Sequence, residues 1–170
     1  ERLDNHSVEF SISMSIRTIA SQKVATSAHR IIGKWDYQTD GAWSMETGWN
    51  NNHEVEIFIL KTPTDYGASY PRTQNFNLQS NIYFFLNMVY NGSLNYVDKV
   101  KFYKNFNLLA QTNTGSFVSS LLNSTANIKI GRFGGTLTRW WQGEIGEILI
   151  YDSPLSMQQK NAVDQYFRYK

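Results

Sequence analysis

Between residues 143 and 151 the chain reads Gly-Glu-Ile-Gly-Glu-Ile-Leu-Ile-Tyr, an apolar run rich in β-branched and aromatic residues. Such a run is a β-strand, and its nearly unbroken apolarity predicts one buried on both faces in the middle of a sheet. Ile145 and Ile148 differ by an odd number, so strict alternation would send them to opposite faces. A bulge near Gly146, a residue that tolerates the backbone required, returns Ile145, Ile148 and Ile150 to one side. Beyond Asp152, Ser156 with Gln159 three positions later makes a capping box. Met157, Val163, Tyr166 and Phe167 then supply the apolar stripe of a helix over about 157–169.

The remainder of the chain reads as further strands. Val8, Phe10, Ile12, Met14 and Ile16 alternate with Glu9, Ser11, Ser13, Ser15 and Arg17, the period of a strand with one wet face. A polar loop over 18–29 leads to a short strand at 30–35, and Asp40-Gly41 marks a hairpin turn because both residues tolerate positive φ. Strands follow at 42–47 and 54–60, then a loop region at 61–79 holding two of the prolines. An aromatic strand at 81–90 closes on Asn91-Gly92, and strands at 97–104 and 108–112 flank a turn at Asn105-Phe106-Asn107. No repeat or low-complexity tract interrupts the series.

Several of these segments carry a family pattern. The closing strand, with its Ile-Tyr-Asp-x-x-Leu-Ser, resembles that of laminin G-like domains, members of the concanavalin A-like jelly-roll superfamily, in which a helical segment commonly follows the Leu-Ser. Val89-Tyr90-Asn91-Gly92, Phe102-Tyr103-Lys104-Asn105-Phe106-Asn107-Leu108 and Asn127-Ile128-Lys129-Ile130-Gly131 resemble other strands and turns of that family in the same order. The resemblance covers most of residues 8–169. It implies an all-β fold, a single-domain antiparallel β-sandwich over 1–170 with strands within about 8–152, and the C-terminal helix covering it. Two departures stand out. Phe106 occupies a turn position where the family prefers Gly, which predicts a turn built differently. Gly146 replaces a usual acid, whose role is therefore not carried over.

Length and composition set bounds. A chain of 170 residues can bury a substantial core as one domain. Cysteine is absent, which excludes disulfides and thiolate metal sites. No stretch approaches the roughly 20 apolar residues that span a bilayer, so membrane insertion is not expected. The start at Glu1, with neither initiator Met nor a signal peptide, reads as a mature product or an excised piece. The 16 basic and 14 acidic side chains are scattered, without the clustered basic face that phosphate neutralisation needs, so nucleic acid is not an expected partner.

Aromatics make up 15% of the chain, and many fall near loops among amide side chains. Flat rings stack on sugar C–H faces while Asn, Asp, Gln and Arg bond the hydroxyls, so rings and amides together suit a glycan or polysaccharide. Trp49 beside Asn50 and Asn51 fits that chemistry best. Arg139-Trp140 comes next, then Trp35, Tyr37 and Trp43; Trp141 reads as core. The expected function is a noncatalytic, carbohydrate-binding recognition module, lectin-like, appended to a larger extracellular, cell-surface or virion-surface protein.

Three rival readings accompany it. A structural or adhesion domain of a viral or phage particle or a cell-surface assembly would contact neighbouring protein subunits instead. Some concanavalin A-like folds are glycoside hydrolases, and Glu54 and Glu56, two residues apart on one strand face, provide a carboxylate pair roughly 6.5 to 7 Å apart by strand rise. With Phe58 and Leu60 continuing the strand, the simpler reading places both acids at its solvent-facing end. For a metal, Asp36 and Asp40 with Gly41 resemble the first half of a calcium loop, but Thr47 stands where the bidentate Glu belongs. A plain hairpin accounts for the same residues. Asn5, Asn91 and Asn123 match the glycosylation acceptor pattern, which chance explains in a chain rich in Asn and Ser.

Overall fold

In a computed structural model, the described residues are 9–18, 29–36, 40–47, 54–60, 71–74, 76, 79, 81–112, 118–132 and 140–169, with no side-chain description at 58. The strands are β1 (Glu9–Thr18), β2 (Arg30–Asp36), β3 (Asp40–Thr47), β4 (Val55–Ile59), β5 (Arg72–Thr73), β6 (Tyr83–Asn91), β7 (Val100–Lys104), β8 (Asn107–Leu108), β9 (Gln111–Thr112), β10 (Ile128–Ile130) and β11 (Gly143–Tyr151), followed by helix α1 (Met157–Arg168). They form a five-stranded sheet in the order β11-β1-β6-β7-β8 and a six-stranded sheet in the order β10-β2-β3-β4-β5-β9. Every pairing is antiparallel. The architecture is therefore the antiparallel β-sandwich with a C-terminal helix that the family pattern implies.

The core lies between the sheets. Phe10, Ile12, Met14 and Ile16 of β1 and Phe84, Leu86, Met88 and Tyr90 of β6 meet Trp43 and Met45 of β3 and Val55, Ile57 and Ile59 of β4, with Trp141 closing one side. Period-two alternation gives each of these strands one apolar row, and the two rows interdigitate as sheet-on-sheet packing requires.

The closing strand differs from expectation. Among the described residues β11 is the edge of its sheet, paired only with β1, and its residues are half-buried or exposed. Its apolar run comes from the bulge. Met14 pairs with Ile148 and Ile16 with Ile145, so Gly146 and Glu147 together oppose Ser15. Ile145, Ile148 and Ile150 thereby share the core side, and the first two pack on the core. An edge strand with one rescued apolar row looks, in sequence, like a strand buried on both faces.

The supposedly wet face of β1 is also dry. Ser11 and Ser13 are buried: the chain after β11 crosses Ser11, whose hydroxyl donates to the Ser153 carbonyl (3.0 Å) and accepts from the Leu155 amide (2.9 Å), and the Ser13 hydroxyl accepts from the Asn87 side-chain amide. Helix α1 then lies on this face, started by the Ser156–Gln159 capping box. Its contact keeps only Val163 and Phe167 of the expected stripe. Met157 and Tyr166 are exposed, whereas Phe167, Lys160 and Asp164 are buried. Phe167 stacks on Phe85 at 5.2 Å, and Lys160, ion-paired to Asp164 at 2.6 Å, sits 4.8 Å from the Tyr103 ring centre.

The β7–β8 turn keeps the two-residue hairpin form, with Asn105 at φ 45° and Phe106 at φ 75°. A phenylalanine in this left-handed region costs about 1–2 kcal/mol. Phe106 offsets it by stacking on Phe85 at 5.2 Å and taking the Arg168 guanidinium 4.3 Å above its ring. Phe106→Gly is accordingly expected to leave the melting temperature nearly unchanged while speeding amide exchange in the last two turns of α1. Unaltered helix exchange would show that the ring does not hold the helix.

Candidate functional site

The face of the six-stranded sheet turned away from the core carries a row of charges. A bulge lets both Ile31 and Ile32 enter the core, because Arg30 pairs with Glu46 while Ile32 pairs with Met45. Arg30 is thus left on the outer face. From it the register runs straight across the sheet: Arg30 opposite Glu46, Glu46 opposite Glu56, Glu56 opposite Arg72, and Arg72 opposite Thr112. Arg30, Glu46 and Glu56 are at most 1% exposed.

The two halves of the row are not equally satisfied. Glu46 accepts from Arg30 Nη2 at 3.0 Å and from the Ser44 hydroxyl at 2.6 Å. Arg30 also donates to the Trp35 carbonyl at 2.9 Å and stands 5.1 Å from the Trp35 ring centre. That ring is pressed against Gly41: a Cβ there would lie 2.4 Å from Trp35 Cδ1, so only glycine fits. Glu56, by contrast, has Arg72 Nη2 at 3.5 Å, and among the described residues neither of its carboxyl oxygens accepts a hydrogen bond. Arg72 is shared with Glu54 at 3.7 Å. Burial pushes the Glu56 carboxyl up to about 8; Arg72 opposes the rise, and Glu46 and Glu54 add to it. Glu54 is raised too, by burial against the pull of Arg72.

These positions correct the expectation for the acid pair. Glu56 is not at a solvent-facing strand end. A raised carboxyl beside another acid is what a glycosidase acid needs, yet Glu56 is 0% exposed, which denies a substrate access to it in this arrangement.

At one end of the row the chain forms a second cluster. The His29 carbonyl accepts from the Thr47 amide at 2.9 Å, and the His29 amide donates to the Thr47 hydroxyl at 3.0 Å. His29 Nδ1 lies 2.6 Å from the Trp140 carbonyl. A carbonyl only accepts, so Nδ1 carries the proton in this contact. Trp141 is tied to the same edge, its amide donating to the Gly131 carbonyl at 2.8 Å. Trp140 itself is 59% exposed.

The anticipated ring set separates accordingly. Trp140 is at the surface, at the β2–β3 end of the row. Trp43 is 0% exposed and packs on Phe10 at 5.3 Å, and Trp35 is 3% exposed under Arg30, so neither ring has a face left for a sugar. Tyr37, Trp49, Asn50, Asn51 and Arg139 lie outside the described residues. Chain connection alone puts Trp49 two residues after Thr47 and Arg139 directly before Trp140, so the segments bearing them join the sheet at the His29–Thr47–Trp140 cluster.

The calcium expectation meets protein donors. Asp36 is ion-paired with Lys129, and Asp40 accepts from the Thr125 amide (2.8 Å) and hydroxyl (2.7 Å). Burial would raise the Asp40 carboxyl, but the hydrogen bonds of Thr125 and Ser124 outweigh it and hold it below its ordinary range. Among the described residues no three acids or histidines gather as a metal centre. An ammonium against one of only two carboxylates is a poor fit to calcium, which takes six to eight oxygens. Asn91 likewise serves its turn, accepting from the Ser93 amide at 2.9 Å.

His29, Arg30, Glu46 and Arg72 were not anticipated. Glu46 sits at parity opposite to Trp43 and Met45, a position that ordinarily means solvent; Arg30 shares the parity of Ile32 and reaches the outer face only through the bulge, and nothing local to the sequence marks the face as buried.

No protein-family model matches the sequence, and no curated protein matches it either. Solved structures do. A heptameric SAP-like pentraxin from Limulus polyphemus superposes with a TM-score of 0.65 at 13% identity over 93% of this chain and 70% of its own. The CBM40 of the Ruminococcus gnavus IT-sialidase, bound to α2,3 sialyllactose, gives 0.61 at 16% identity over 92% and 82%. The botulinum neurotoxin serotype D/C VPI 5993 binding domain gives 0.64 at 17% over 95% of this chain and 37% of its own. These likenesses establish the concanavalin A-like jelly-roll fold.

The proton balance of the charged row has a measurable consequence. Between about 4.5, the ordinary value, and about 8 the folded chain holds a proton on Glu56 that the unfolded chain has released. Stability contributed here is therefore full below the lower value, falls as pH rises through this window and levels off above it. Glu56→Gln is expected to match the wild-type melting temperature near pH 5, exceed it at pH 9, and flatten the decline between, by up to roughly 1.4 kcal/mol per pH unit. Parallel melting curves for the two proteins across that range would refute the assignment.

Proposed function

We propose that the protein is a noncatalytic carbohydrate-binding module, carried on an extracellular or particle-surface protein, that takes a glycan at the β2–β3 end of the six-stranded sheet. The observation carrying this reading is the exposed Trp140 ring, whose backbone is anchored to the buried His29. Trp140 supplies the stacking platform, Arg139 and the Trp49-Asn50-Asn51 segment the adjoining polar and aromatic contacts. The likeness to a sialyllactose-bound CBM40 supports the reading at the level of fold. Under it the buried charges are scaffold: they fix β2, β3, β4 and β5 in register beneath the recognition end. The lack of surface on Glu56 favours binding over hydrolysis.

A glycan array with labelled protein tests this. Trp140→Ala and Trp49→Ala are each expected to reduce the affinity for any hit about tenfold or more. Trp140→Ala should do so with no change in melting temperature, since its ring is 59% exposed. Trp43→Ala, by contrast, should destabilise the fold by about 3–5 kcal/mol. Background signal from the wild type, or undiminished binding by both loop variants, would reject the proposal.

A second reading, a structural or adhesion domain contacting protein, is favoured by edge strand β10, which exposes Ile128 and Ile130 at 38% and 54%. Light scattering separates the two: this reading requires mass to grow with concentration and Ile130→Lys to abolish the growth.

A further inference from the structure

The outer face of the five-stranded sheet has a hollow beside helix α1, of about 490 Å³, lined by Ser15, Tyr83, Phe85, Glu147 and Phe167. Its construction follows from the β11 bulge. Gly146 and Glu147 both oppose Ser15, and Ser15 is in turn opposite Phe85 on β6. Two small residues, Gly146 and Ser15, leave the floor low; a Cβ on Gly146 would make ordinary van der Waals contact with Ser15 at 3.5 Å, so the two residues already lie side by side. Tyr83, Phe85 and Phe167 stand around the floor as rings. Phe167 is fixed by its stack on Phe85 at 5.2 Å. The second residue of the bulge brings Glu147 to the rim, where the Tyr166 hydroxyl donates to its carboxylate at 2.7 Å and orients it.

We propose that this hollow binds an organic cation, specifically a quaternary ammonium group. Aromatic faces attract a cation through their quadrupole, and a nearby carboxylate adds direct charge complementarity. The Tyr83 and Phe167 rings with one carboxylate and one hydroxyl supply the lining such a group requires, and Phe85, already stacked on Phe106 and Phe167, packs behind them. A sugar needs more polar partners around its edge than Ser15 and Glu147 provide, and a neutral apolar guest would leave the carboxylate desolvated without recompense. The site already shows the chemistry: the Arg17 guanidinium lies 5.1 Å from the Tyr83 ring centre. Arg17 is itself ion-paired with Glu144, which offsets its charge toward an arriving cation. The site is on the opposite sheet from the glycan end and independent of it.

Titration of the isotopically labelled protein with tetramethylammonium chloride tests this, with tert-butanol as a neutral guest of similar size and sodium chloride as the ionic-strength control. The expected result is saturable amide shifts at Ser15, Phe85 and Glu147 with an affinity in roughly the millimolar range, about tenfold weaker in Glu147→Gln and several-fold weaker in Tyr83→Leu. Tyr83 is 50% exposed, and unchanged amide spectra away from the hollow verify that both variants fold. Ser15→Met, which fills the floor, should abolish the shifts. Absence of saturable shifts, equal shifts with tert-butanol or sodium chloride, or undiminished affinity in Glu147→Gln would each overturn the proposal.

Discussion

The two-residue period of a strand is the constraint from which the rest of this molecule follows, and it matters most where it is broken. Alternation alone gives β1, β3, β4 and β6 the apolar rows that make the core. Two register shifts then decide where the chemistry goes. On β2 the extra residue sends both Ile31 and Ile32 inward and leaves Arg30 to pair with Glu46 on the far face. On β11 the extra residue returns three isoleucines to the core side and brings Glu147 to the outer face beside Ser15. A bulge changes the parity of everything beyond it. Single insertions thus place a charge on each outer face of the sandwich.

Charged groups on both outer faces are also buried, and this sets the energetics. Taking Arg30, Glu46 and Glu56 out of water is costly unless each charge is paired and hydrogen-bonded. Arg30 and Glu46 meet that condition through Trp35 and Ser44. Glu56, opposite another carboxylate and 3.5 Å from the one guanidinium that it shares with Glu54, does not. Holding a proton is the less expensive state, and so its carboxyl is raised. On the other sheet the same problem is met differently: Lys160 and Asp164 are one helical turn apart, at 2.6 Å, and enter together under Phe106 and Tyr103.

Much of the fold was legible because its signals are local. The β1 alternation, the Gly146 bulge and the Ser156–Gln159 cap each depend on residues within a few positions, and each stands in the structure; Asp40 and Gly41, expected as a turn, instead begin β3 paired to Asp36 and Trp35, because Gly41 is needed where the Trp35 ring presses on the strand. What was misread depends on partners distant in the chain. β11 was taken as central because apolarity reports burial but not how many neighbours a strand has. Ser11 looked wet because Ser153 and Leu155 lie more than 140 residues away. Trp35 and Trp43 could not be told from Trp140 by composition: all three adjoin polar residues, and only the packing of Phe10 and the flat surface of Gly41 bury the first two. The turn at Phe106 kept its left-handed backbone because Phe85 and Arg168, contributed by β6 and α1, compensate the strain.

The proposal of recognition at an end of the sandwich, instead of on either face, rests on this distribution. One face carries α1 and the hollow near Tyr83, and on the other Arg30 and Glu46 spend hydrogen bonds on each other while Glu56 is buried beside them. A face whose charges are out of water and engaged with their neighbours offers a guest little to replace its lost water. At the β2–β3 end the balance differs. The His29 and Thr47 bonds fix the backbone while the ring of Trp140 stays at the surface, so the cost of ordering the platform is met in folding and little remains at binding. Rigid backbone under an exposed ring is the arrangement in which a weakly polar contact can yield affinity.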